Sequence, residues 1–257
     1  TMFNLARVIG PAVGGAVLAA LGAVWCFALN SFSFLAVIFA LFRMRFPKQV
    51  IESKRSPLFA QIKIGLNYVR GSVPVRTIIA LVAVSSLFGT SYATLLPAYA
   101  ADVLHVEEAG LGMLSAAVGA GALVGSLIVA SLSGMRRKGM LLTFGNLFFP
   151  LALLLLSMSH SLVTSLCVLP LIGMGFVLQN ATANTLVQSI VSDELRGRVM
   201  AVYTLMFFGT APFGALWAGT IAQALGPTAA IAISGGIMLA FALIVLFIVP
   251  SLRKLEG

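Results

Sequence analysis

The sequence predicts an all-α, polytopic transmembrane helical bundle, and two observations carry that prediction. Of its 257 residues 60% are hydrophobic and only 9% are charged, against roughly 25% charged in an ordinary soluble domain. The apolar residues also gather into eight runs, each close to the ~20 residues that a helix rising about 1.5 Å per residue needs to cross a ~30 Å hydrocarbon core. The runs are continuous and rich in Leu, Ala and Gly, whereas barrel strands alternate apolar and polar residues over about ten positions, so helices are predicted throughout.

The first run, Thr1 to Leu21, contains Gly10-Pro11-Ala12-Val13-Gly14-Gly15. Absent side chains there allow close backbone approach, and proline removes one helix hydrogen bond, which makes a close-packed, bendable helix. Periodicity leaves both a gating role and ordinary small-residue packing open. Arg7 is the one charged side chain inside a run. It lies fourteen positions before Leu21, and at about 1.5 Å each that places it in the inner third of the span. From there a guanidinium either snorkels to the headgroups or serves an anionic substrate or proton coupling. The run opens at Thr1 with no charged segment before it, which reads as neither a signal peptide nor a natural start; the expectation is a chain truncated upstream.

The second run is Trp25 to Phe42, and the long hydrophilic segment from Arg43 to Arg76 follows it. Ser56-Pro57 reads as a helix start, after which Leu58, Ile62, Leu66 and Val69 recur at helical spacing among Gln61, Lys63, Asn67 and Arg70. The prediction is an amphipathic linker helix on the inner membrane surface, either tethering the neighbouring spans or sensing lipid. Three domains follow: 1–42 as the last two helices of a first bundle, 43–76 as a cytoplasmic linker, and 77–257 as a six-helix bundle with a short cytoplasmic tail.

The remaining runs are Thr77 to Tyr99, Leu111 to Leu132, Met140 to Met158, Leu162 to Ser189, Val199 to Leu225 and Thr228 to Val249. Their polar content is uneven. Thr77 to Tyr99 carries Ser85, Ser86, Thr90, Ser91, Tyr92 and Thr94, and Leu162 to Ser189 carries Gln179, Asn180, Thr182, Asn184, Thr185 and Gln188. Polar groups facing lipid are costly and turn toward partners or water, so these two runs are expected to line a cavity, with Ser86, Thr90, Tyr92, Gln179, Asn180 and Asn184 as candidates. For any single Ser or Thr, back-bonding within its own helix is the simpler role. Met140 to Met158 and the final run have few polar residues, mainly Thr143, Asn146 and Ser234, and are expected outside the bundle. A faint repeat relates Gly10-Pro11 before Leu21-Gly22 to Ala211-Pro212 before Leu225-Gly226; this would suit parallel repetition of six-helix halves and marks Pro212 as a second interface candidate.

The basic residues orient the chain. Arg43, Arg45, Lys48, Lys54, Arg55, Lys63, Arg70 and Arg76, then Arg136, Arg137, Lys138, Arg196 and Arg198, then Arg253 and Lys254 make 15 of 16, all in alternate loops or the tail. Basic residues stay cytoplasmic, so the linker and C-terminus are expected inside. The net charge of +9 is thereby accounted for by topology beside the inner leaflet, without nucleic acid. Cys26 and Cys167 fall inside spans, where cysteine is usually a small buried apolar residue, and show no metal or redox spacing. His105 and His160 lie in outer loops. No histidine falls in a span to serve as base for an intramembrane nucleophile, and neither His-Glu-x-x-His nor a phosphate-cradling Gly-x-x-x-x-Gly-Lys-Ser/Thr occurs. No enzyme, cofactor or metal is predicted. A non-transporting scaffold is the rival class, but it would show no polar-lined pair of spans.

Gly10-Pro11-x-x-Gly14-Gly15 resembles the antiporter motif in the fifth helix of major facilitator superfamily exporters, with Ala6 where the motif has an earlier glycine. Ile64-Gly65-Leu66-Asn67-Tyr68-Val69-Arg70 with Pro74-Val75-Arg76 is similar to the approach to the seventh helix in the siderophore and drug exporters of the transmembrane secretion effector type. Asp193-Glu194-Leu195-Arg196-Gly197-Arg198 is similar to their tenth-to-eleventh loop, while Ser133-Gly134-Met135-Arg136-Arg137-Lys138 keeps the basic end of the eighth-to-ninth loop without its aspartate. The resemblance implies a major facilitator fold lacking its first four helices, with Gly10, Pro11, Gly14, Gly15 and Pro212 at the interface of the halves. It implies an inner-membrane exporter of drugs, siderophores or similar small molecules, exchanging protons by alternating access; a lysophospholipid or lipid-flipping permease of the same superfamily is the alternative. The partners implied are substrate, protons, the lipid bilayer and the missing helices. None of the acids Glu52, Asp102, Glu107, Glu108, Asp193, Glu194 and Glu256 falls within a span, so a titrating carboxylate is expected in those missing helices.

Overall fold

The computed structural model describes residues 23–43, 58–132 and 137–255. Arg7, Gly10, Pro11, Gly14 and Gly15, with the whole first span, lie outside them. In chain order the helices are α1 (Ala23–Arg43), α2 (Leu58–Gly71), α3 (Val73–Val84), a π-helical turn (Ser85–Gly89), α4 (Ser91–Asp102), α5 (Glu108–Ser131), α6 (Lys138–Ser157), α7 (Leu162–Ile190), α8 (Asp193–Leu225) and α9 (Pro227–Ile248), closed by a 3₁₀ turn (Pro250–Lys254). Six spans among the described residues are long and apolar enough to cross a membrane, α3 to α4 counting as one continuous span from Val73 to Asp102. They correspond to the last six apolar runs. The second run is α1, whose 21 residues amount to about 31 Å of helix.

Two apolar clusters stack along the bundle. Near the linker end, Val69 of α2 joins Val75 and Ile78 of α3, Leu142 of α6, Leu186 of α7, Val199 of α8 and Val245 of α9. Toward the other end Leu95, Leu96 and Tyr99 of α4 pack with Leu114, Phe149, Leu156, Leu169 and Ile231. Because lipid tails are as apolar as leucine, close packing rather than water exclusion must hold such helices together.

The tightest crossing, α5 on α7, shows how. A Cβ on Gly121 would lie 1.8 Å from the Pro170 carbonyl oxygen, and one on Gly173 would lie 2.0 Å from that of Val118. Reciprocal glycines thus let each backbone sit against the other. Pro170 itself lies inside α7 and gives up the N–H that an uninterrupted helix would use.

The amphipathic linker helix forms as the pattern predicts from Leu58, although Ser56-Pro57 falls outside the described residues. Its buried Val69 and partly buried Leu66 and Tyr68 enter the lower cluster, while Lys63, Asn67 and Arg70 are exposed. One face of the helix is thereby packed against the bundle.

Two expectations need correction. Cys167, expected to be small and buried, is exposed on α7, on the side of the helix opposite the buried Ser165 and Leu169. The span Met140 to Met158, expected outside the bundle, is instead well buried among the described residues: Asn146, Phe149, Leu153 and Leu156 are all shielded. α6 is wedged between α7 and α9, and a paucity of polar groups does not distinguish lipid-facing from helix-facing positions. The least covered spans are α5 and α8, where Leu127, Leu205, Phe208, Phe213 and Leu216 stand more than half exposed.

Candidate functional site

The polar runs Thr77 to Tyr99 and Leu162 to Ser189 are brought together, and the first of them is not a plain helix. At Ser85–Gly89 the backbone widens into a π turn, with the Thr90 N–H bonded to the Ser85 carbonyl at 3.0 Å. Such single-turn bulges re-aim side chains and recur at functional sites. Here the bulge points two hydroxyls at two different helices. Ser85 Oγ donates to Gln179 Oε1 of α7 at 2.9 Å, with both groups fully buried, and Ser86 Oγ donates to the Phe207 carbonyl of α8. The backbone of α8 comes close enough because Gly214 lies against the bulge: a Cβ there would sit 2.0 Å from the Leu87 carbonyl oxygen.

Gln179 and Ser86 are therefore held in interhelical hydrogen bonds. Thr90 bonds back to the Ser86 carbonyl at 2.6 Å. Tyr92, 8% exposed, packs into the apolar cluster with Leu95 and Phe149. These three hydroxyl-bearing candidates sit inside the six-span bundle, where they shape it.

The open wall lies one face further round α7. Phe176, Asn180, Asn184 and Gln188 are spaced four residues apart and so share a stripe. Asn180 Nδ2 donates back to the Phe176 carbonyl at 3.1 Å, and the Gln188 amide donates to Asn184 Oδ1. Asn180 Oδ1 is buried without a hydrogen-bond partner among the described residues, an uncompensated acceptor of the kind that is costly in an apolar interior. From α8, the Tyr203 hydroxyl donates to the Asn180 main-chain carbonyl at 3.3 Å. Rings lead from the core to this wall: the buried Phe149, then Phe176, Phe207 and Phe208 follow one another with centroid separations of 5.8, 6.3 and 4.9 Å, ending at the exposed Phe208.

Amides and a phenol beside a ladder of aromatic faces suit a flat organic molecule with a few polar groups. Tyr203 and the Phe176–Phe207–Phe208 ladder escaped the sequence reading because single aromatics in apolar runs carry no signal of their own. The four-residue spacing of Phe176 with Asn180 and Asn184 on α7, and of Tyr203 with Phe207 on α8, was the clue available.

The cytoplasmic-loop candidates form a turn rather than part of this wall. Arg196 pairs with Asp193 at 2.5 Å, and its Nε donates to the Gln188 carbonyl at the end of α7 at 3.0 Å. It thereby covers a main-chain acceptor left open at that helix end. Gly197 and the partly buried Arg198 follow on α8, and Pro212 is exposed midway along it.

Among the described residues, six apolar spans form an all-helical bundle with a polar stripe along one of them, the architecture of a multi-pass membrane protein. Known structures agree on the fold. The crystal structure of a POT family transporter in complex with 5-aminolevulinic acid superposes with a TM-score of 0.57 at 12% identity, covering 90% of this chain and 54% of that one. A second POT structure, with a thioalcohol-conjugated peptide, gives the same score at 13% identity. Residues 1–256 match the transmembrane secretion effector family, and the chain belongs to it. Among its relatives is the multidrug efflux pump Tap of Mycolicibacterium fortuitum, 29% identical over 99% of this chain and 63% of that protein. Tap of Mycobacterium tuberculosis is 26% identical over 88% of this chain and 54% of that protein. The enterobactin exporter EntS of Escherichia coli is 26% identical over 98% and 60% respectively. The chain thus spans between half and two-thirds of the length of these relatives. It is a multi-pass membrane protein of a transporter family, not an enzyme.

Proposed function

We propose that the protein carrying this chain exports amphipathic small molecules, drugs or siderophores among them, from the cytoplasm in exchange for protons. The observation that supports this most is the Asn180–Asn184–Tyr203 wall, with its unpartnered Asn180 Oδ1 and its aromatic extension through Phe207 to Phe208. Family membership and the two kinds of exporter among the relatives favour the same reading. In it, residues 1–42 belong to a first bundle, 43–76 to a cytoplasmic linker and 77–257 to a second bundle that rocks against the first. The exposed apolar faces of α5 and α8 are where the first bundle would seat, with Gly10, Pro11, Gly14 and Gly15 on its side and Pro212 on this one. Arg7 would approach the substrate path from the first bundle or anchor its helix at the headgroups. The membrane is the bacterial inner membrane, with linker and C-terminus in the cytoplasm.

Coupling is the less direct part. No Asp or Glu lies within the apolar runs of this chain, so the titrating group of a proton exchanger would lie in other helices of the protein. The test is uptake of a fluorescent cationic dye, and separately of a catecholate siderophore, into inside-out vesicles holding the protein with an imposed acid-inside proton gradient, so that protons leave the lumen as substrate enters. Uptake collapsed by a protonophore supports the proposal. Uptake of neither compound, with spin-labelled lysophospholipid moved instead, overturns it in favour of a lipid permease.

A further inference from the structure

We infer a binding site for an anionic phospholipid headgroup at the basic end of the bundle, in the cleft between α5, α6 and α7. The cleft is a half-open cavity of about 60 Å³, lined by Val129 and Leu132 at the end of α5, Lys138 and Leu141 at the start of α6, and Thr182 and Thr185 on α7. It lies apart from the Asn180–Tyr203 wall and takes no part in the proposed transport path.

Three features of the cleft fit one ligand. Among the described residues Lys138 is the one charged group lining it and no carboxylate lines it, and the exposed Arg137 precedes it in the chain. Thr182 is 2% exposed, and its hydroxyl has no hydrogen-bond partner among the described residues, whereas Thr185 bonds back to the Ala181 carbonyl at 2.9 Å. A buried hydroxyl in a helix normally bonds to the carbonyl four residues back, and leaving it unpaired is unfavourable. An acceptor oxygen brought into the cleft would satisfy it. Val129, Leu132 and Leu141 complete an apolar wall continuous with the lipid-facing surface of the spans.

An ammonium, a free hydroxyl and an apolar wall match a phosphodiester joined to an acyl chain. Free phosphate would use only the polar half of the cleft, so the apolar wall favours lipid. Basic pockets between spans at the cytoplasmic leaflet are the expected place for such headgroups, where each Lys or Arg contributes roughly 1 kcal/mol, a fivefold change in binding.

The experiment uses the full chain, purified and delipidated in a neutral detergent. Thermal unfolding is followed on adding phosphatidylglycerol, phosphatidylcholine, inorganic phosphate or glycerol phosphate, and bound lipid is counted by native mass spectrometry. Phosphatidylglycerol should stabilise the wild type and remain bound as one tight copy. Lys138→Gln should weaken that binding about fivefold, Lys138→Arg should retain it, and Thr182→Val should weaken it without lowering stability in lipid-free detergent. Equal stabilisation by phosphatidylcholine, or full phosphatidylglycerol binding in both Lys138→Gln and Thr182→Val, would overturn the site. Stabilisation by soluble phosphate alone would overturn the lipid in favour of a free anion. If Lys138→Gln does not fold, the wild-type lipid count and the Thr182→Val comparison decide the matter by themselves.

Discussion

Replacing Gly121 by alanine adds one methyl group where the structure has no space for it. The new Cβ would stand 1.8 Å from the Pro170 carbonyl oxygen, 2.4 Å from its carbon and 2.5 Å from its Cα, against an ordinary contact of 3.4 Å or more. The obstructing atoms are backbone, so no side-chain rotation relieves the clash, and α5 and α7 must separate by about 1.6 Å at their closest point. Moving them apart also opens the reciprocal contact of Gly173 with Val118 and that of Gly125 with Met174. Overpacking of this kind costs about 3 kcal/mol, the upper part of the usual range; alanine returns about 1 kcal/mol of helix propensity. The net expectation is a loss of about 2 kcal/mol. Gly236 is the control, since a Cβ there meets nothing within 4 Å, and its replacement by alanine should be neutral or stabilising by up to about 1 kcal/mol. Both variants are compared with wild type by denaturant titration of the purified chain in one detergent, with helix signal as the readout. If Gly121→Ala unfolds at the same denaturant concentration as Gly236→Ala, close backbone packing does not hold α5 to α7 and the reasoning fails.

Asn180→Leu should change transport of the dye substrate while leaving unfolding close to wild type, whereas Gln179→Leu should lower stability by about 1–2 kcal/mol through the stranded Ser85 hydroxyl; transport kinetics and melting curves measured side by side separate the two. Tyr99→Phe removes a buried hydroxyl bonded to the Ser159 carbonyl at 2.8 Å and Ser165 Oγ at 2.9 Å, and a loss of about 1–2 kcal/mol is expected in the same titration. In the protein carrying this chain, Gly14→Leu should abolish export with membrane expression preserved; unchanged dye uptake into vesicles would remove that glycine from the interface.

Asn180 and Gln179 are adjacent in sequence and equally polar, and nothing in the chain tells them apart. A helix turns 100° between them, so one meets Ser85 in the interior and the other stands beside Tyr203. The same limit hid the π turn: Ser85 and Ser86 read as two more hydroxyls in a continuous span, and only their separate partners on α7 and α8 show why the helix widens there. Asn146 misled in the other direction. The few polar residues of its run suggested a peripheral helix, yet Asn146 is 5% exposed with both side-chain polar atoms unpartnered among the described residues.

The sequence by itself determined the last six spans, the amphipathic helix from Leu58 and the side of the membrane each loop is expected to face. Those follow from transfer of side chains between water and hydrocarbon, which depends on composition along the chain and not on neighbours. Tertiary structure decided which polar groups are engaged between helices and which remain available, and which glycines mark contact rather than flexibility. Both depend on the rotation and spacing of helices about one another. In a bilayer those are set by fitting one surface against another, information that no single run of residues contains.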